Sequence, residues 1–132
     1  MLNALDPSIE PKGPGSGYGV KRAAAGALQH IQLAAKSEGA SKGVQTHAGH
    51  VSASLTDVTQ WTDAAIATAQ KIRSATSAAE AKPLVDELIA QTNSIVNGVD
   101  ANKDGSIGWQ SGEGGLAQAE THMNLMMKGE GL

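Results

Sequence analysis

Residues 41–74 read SKGVQTHAGHVSASLTDVTQWTDAAIATAQKIRS, and this stretch decides the fold. Val44, Ala48, Val51, Leu55, Val58, Ala65, Ala69 and Ile72 recur at steps close to a heptad, which leaves one side of a helix apolar along its length. Ser41 is a good N-cap, because its hydroxyl can accept a backbone N–H of the first turn. The pattern predicts one long helix from just after Ser41 to about Ser74.

A shorter helix is expected before it, from about Tyr18 to Ser37, ending near Gly39. Val20, Ala24, Ala27, Leu28, Ile31, Ala34 and Ala35 share one face of it. On the other side, Ser77-Ala-Ala-Glu80 fits a capping box for a third helix. Pro83 lies six residues into that helix and leaves the C=O of Ala79 without its usual partner, which predicts a kink there or a start nearer Lys82. Leu84, Val85, Leu88, Thr92, Ile95 and Val99 carry its apolar face onward. A fourth helix follows with Leu116, Ala119, Met123 and Met126 turned inward. Its opening, Gly112-Glu-Gly-Gly115, is a poor helix start, since glycine loses the most entropy on ordering.

Aromatic residues are only 2% of the 132, with no Phe, so the core must come from Leu, Ile, Val and much Ala. Alanine has the best helix propensity and lets helices approach closely, whereas a sheet would want more β-branched and aromatic side chains. Short connections between four helices favour an all-α, up-down-up-down bundle over residues 18–132. Residues 1–17 are expected to form an extended arm: Pro7, Pro11 and Pro14 fall among glycines and discourage a regular element.

Several function classes are disfavoured at once. Net charge is −3 and no basic cluster occurs, so no nucleic-acid partner is expected. Absence of Cys removes thiolate zinc sites, iron–sulfur clusters and c-type haem attachment. No apolar run reaches membrane-spanning length, and the first residues lack the pattern of a signal peptide. No nucleophile elbow or Walker loop is present, and the carboxylates Asp57, Asp63, Asp86, Glu87 and Glu120 fall on expected polar faces, so an enzyme is not expected.

Chemistry concentrates between the third and fourth helices. Asp100, Asn102 and Asp104 place oxygen donors at alternate positions, then Gly105 allows a sharp turn and Ile107 is apolar. A hard cation such as Ca²⁺ takes six to eight oxygens at about 2.3–2.6 Å, and a tight loop of this kind supplies them. The stretch resembles the loop of the EF-hand family, and the resemblance implies a ligand set. Asp100, Asn102 and Asp104 would bind by side chains, Ser106 by its carbonyl, and Gly108 through water. Where the family has a bidentate Glu, this chain has Ser111, with Glu113 two residues later. Either Glu113 enters from a longer loop, or Ser111 and water complete the shell; both imply weak affinity. Ile107 matches the residue that pairs with a partner loop, which implies a protein partner or a homodimer through it.

A second cluster combines His30, His50 and His122 with Met123 and Met126. Imidazole and thioether suit copper, whereas carboxylates suit calcium. His30 and His122 are expected at one level of an antiparallel bundle, with His50 a little lower. His47 and His50, three apart near a helix start, also fit ordinary exposed positions. The expected function is therefore a calcium-binding helical protein, the ion mainly structural and able to regulate a protein interaction. The alternative is a copper-binding carrier. A weak calcium site fills where calcium is abundant, which points to the periplasm or the extracellular space.

Overall fold

The structure, a computed structural model, describes residues 1–13 and 15–132. Among them are five helices and no strands: α1 (Leu2–Leu5), α2 (Val20–Lys36), α3 (Lys42–Ser74), α4 (Ala78–Asn97) and α5 (Leu116–Gly129). The all-helical expectation holds, with the long helix at the centre. Ser41 caps α3 as predicted, its hydroxyl accepting the Val44 N–H at 3.1 Å.

Ser77 caps α4, but Glu80 reaches one residue further back than a capping box requires. Its carboxylate accepts from the backbone N–H and hydroxyl of Thr76 at 2.9 and 3.1 Å. The helix begins at Ala78 rather than near Lys82 and runs through Pro83.

Tertiary packing departs from the up-down-up-down expectation. At 33 residues, α3 is about 50 Å long, well beyond the reach of the longest partner, the 20-residue α4. Three shorter helices tile it. α2 lies antiparallel along it, with Lys21 paired to Asp63 at 2.6 Å. α4 runs antiparallel beside its C-terminal half, where Thr68 donates to Glu87 at 3.2 Å. α5 continues in the same direction beside the N-terminal half, ending where Glu130 meets Ser41. α4 and α5 therefore follow one another along α3 instead of forming an antiparallel pair, and α2 packs on α3 but on neither of them. The physical cause is length: with 20 and 14 residues, α4 and α5 cover α3 only end to end.

The core follows the predicted stripe. Ala48, Val51, Leu55, Val58, Ala65 and Ala69 of α3 are buried, against Ala24 and Ile31 of α2, Leu88 and Ile95 of α4, and Ala119 of α5. The N-terminal arm is not wholly extended. Leu2 and Leu5, three apart on the single turn of α1, enter this core, and Asn3 is buried between them. The Asn3 side chain donates to Glu10 C=O at 2.6 Å and accepts the Gly15 N–H at 2.8 Å, folding the arm back on itself. Pro14, one of the three arm prolines, lies outside the described residues. No helix among the described residues is long and apolar enough to cross a membrane.

Because the α4–α5 connection falls beside the middle of α3, the segment 98–115 is wrapped against that helix. The Val99 N–H donates to Glu113 C=O at 2.9 Å. A Cβ on Gly98 would collide with Glu113 C=O, and one on Gly114 with the Ser54 hydroxyl. Of the glycines that make a poor helix start, Gly114 and Gly115 are thus residues that permit this close approach.

Candidate metal centre

His47 and His50 are three residues apart on α3, so both project from one side of the helix. The direction of α5 brings His122 to the same place. Its Nδ1 lies 3.1 Å from His47 Nδ1 and 3.2 Å from His50 Nδ1. One ligand atom from each ring fits within a 4.8 Å sphere of mutual distances, and no other His, Cys, Asp or Glu trio does so among the described residues. Two nitrogens held 2.0–2.1 Å from a tetrahedral ion lie about 3.3 Å apart, close to the spacing observed. The three residues are half-buried, which is enough to exclude much water while leaving a route in.

Their electrostatics favour ligation. Burial holds His50 below the ordinary imidazole value, and the neighbouring His47 adds to the effect. His122 is lowered by burial first and then by His50 and His47. A metal ligand must be a neutral imidazole, and both effects favour the neutral form.

Trp109 closes one side. Its indole stacks on the His50 ring with centroids 3.9 Å apart and planes inclined by 17°. It meets His122 edge-on at 6.5 Å.

Trp109 belongs to the oxygen-rich loop, whose donors are spent on backbone amides. Asp100 accepts from the N–H groups of Asp104 and Gly105 at 3.1 and 3.0 Å. Asn102 accepts from Asp104 N–H at 2.8 Å, and Asp104 from Ser106 N–H and hydroxyl at 2.9 and 2.7 Å. The backbone is left-handed at Lys103 and Gly105. Glu113 is buried and turned into the loop, one carboxylate oxygen facing Asn102 N–H at 3.3 Å and the other Gly108 N–H at 3.1 Å. Ser111 stays exposed. Ile107 packs against Gly98 of its own chain. The carboxylates of Asp100, Asp104 and Glu113 do not form a second converging trio.

Asp57 of α3 anchors the loop exit. It accepts Gly112 N–H at 2.8 Å, and the amides of Glu113 and Gly114 lie close enough to favour its charged form. Burial raises its pKa, and these amides pull the other way.

Of the soft-donor candidates, His50 and His122 meet, while His30, Met123 and Met126 line a separate groove of about 690 Å³ between α2 and α5. That groove also contains Ala27, Ile31 and Leu55. His47 completes the trio in their place. Its signal in the sequence was the H-x-x-H spacing on one helix face. No family model, curated protein or solved structure matches the chain, so the geometry of the centre carries the functional argument.

Proposed function

We propose that this is a transition-metal-binding protein whose centre is His47, His50 and His122. The convergence of three imidazole Nδ1 atoms from two helices supports this most directly. Nitrogen donors suit Zn²⁺, Cu²⁺, Ni²⁺ or Co²⁺ and not the oxygen-seeking Ca²⁺, with Cu²⁺ the most tightly held of the series. Three protein ligands leave a coordination position for water or an incoming donor. This suits a carrier that exchanges its ion rather than a closed structural site. Calorimetric titration with Zn²⁺ and Cu²⁺ tests the reading. One ion per chain is expected, with binding lost in His122→Ala and in His47→Ala. Equal binding by a variant lacking all three histidines would refute it.

A second reading, a weak calcium site in residues 100–113, is favoured by one observation. Glu113 enters the loop with both carboxylate oxygens, as a loop two residues longer than the EF-hand pattern would need. On this reading Asp100, Asn102, Asp104 and Glu113 move from backbone amides onto the ion. The ion then ties α4 to α5, and weak affinity suits the periplasm or extracellular space. Calcium titration of wild type and Asp104→Ala separates this site from the histidine centre. A flat trace in wild type would remove it.

A further inference from the structure

The geometry points to Trp109 as a positioning residue through which the segment 98–115 sets the affinity of the histidine centre. The inference rests on the tri-histidine reading above and adds a control to it.

Trp109 touches the centre directly. Its face covers the His50 ring at 3.9 Å, nearly parallel, and its flank meets His122. An imidazole that gives its lone pair to a cation becomes electron-poor, and the electron-rich face of an indole attracts such a ring. The stack also blocks rotation of the ring, holding Nδ1 toward His122. Loss of a partner that orients a ligand typically costs about 10–100-fold in metal affinity.

Trp109 is not carried by a helix, so its position depends on the loop. That loop is pinned on both sides of it. Two residues before, Ile107 C=O accepts from the Gln118 side chain of α5 at 2.7 Å. Three residues after, Gly112 N–H donates to Asp57 of α3 at 2.8 Å. The helices that supply the ligands therefore also supply the anchors: α3 holds His47, His50 and Asp57, and α5 holds His122 and Gln118. A shift of the loop between those anchors slides the indole off His50. The state of the loop is in this way transmitted to the metal.

Zn²⁺ calorimetry and Co²⁺ absorption on the full chain test the idea. Trp109→Leu is expected to weaken Zn²⁺ binding about tenfold and to shift the Co²⁺ ligand-field bands. Trp109→Phe, which restores an aromatic face, should stay within about threefold of wild type. Asp57→Asn should weaken binding in the wild-type background and add nothing in Trp109→Leu, because it acts through the same indole. Should Trp109→Leu fail to fold by circular dichroism, Trp109→Met, which also lacks an aromatic face, with and without Asp57→Asn provides the same comparison. His122-dependent Zn²⁺ binding that is unchanged in Trp109→Leu, or independent additive effects of the two substitutions, would overturn the role of Trp109 alone. Wild type showing no His122-dependent binding would instead overturn the centre itself.

Discussion

The carboxylate of Asp57 accepts the backbone N–H of Gly112 at 2.8 Å, joining the middle of α3 to the far end of the loop across 55 positions of sequence. The amides of Glu113 and Gly114 lie near the same side chain, which is itself buried. An asparagine in its place has one acceptor oxygen and turns an NH₂ toward amide donors. Leaving a buried donor unpaired costs about 1–3 kcal/mol. Asp57→Asn should therefore lower the melting temperature by roughly 3–10 °C, read by thermal circular dichroism.

Acidification should destabilise the metal-free protein in a defined window. The native pKa values of His50 and His122 lie below the ordinary 6.5, chiefly through burial. As pH falls through 6.5 the unfolded chain takes up protons that the native rings refuse, so unfolding gains. The contribution is complete above that value and is lost as pH falls through the lowered native values. Thermal melts from pH 7.5 to 5 should show the decline, and His122→Gln should flatten it. An unchanged pH dependence in that variant would count against a lowered pKa at His122.

Glycine positions should respond in opposite directions. Gly98 has φ +84° and no room for a Cβ beside Glu113 C=O. Gly98→Ala should cost at least about 1–3 kcal/mol from backbone strain alone. Gly49 lies inside α3, exposed, with open space where a Cβ would stand. Gly49→Ala should stabilise by about 0.5–1 kcal/mol. Chemical denaturation of the two variants side by side checks both.

If calcium occupies the loop, its effect should reach the histidines. Saturating Ca²⁺ at a hundred times its dissociation constant would stabilise the fold by about 2.7 kcal/mol, an increment expected to vanish in Glu113→Gln. Linkage then requires that Ca²⁺ change Zn²⁺ affinity and Zn²⁺ change Ca²⁺ affinity by the same factor. Trp109→Leu should bring that factor to one. Titrations in both orders measure it.

Much of this protein was set locally and could be read without tertiary structure. The stripe from Ala48 to Ala69 and the caps at Ser41 and Ser77 depend on neighbours within a few positions. The 3.6-residue period fixes such relationships, and it already put His47 beside His50. What no local rule supplies is how helices of unequal length share one another. The 33-residue α3 is tiled by α4 and α5 in succession, and this placed the loop at mid-helix rather than at a bundle end. His122 consequently meets His47 and His50, while His30 lines a groove with Met123 and Met126. Trp109 reaches His50 for the same reason. Sequence determined which side chains lie on each helix face; only the tertiary packing, governed by helix length and the burial of the α3 stripe, decided which faces meet.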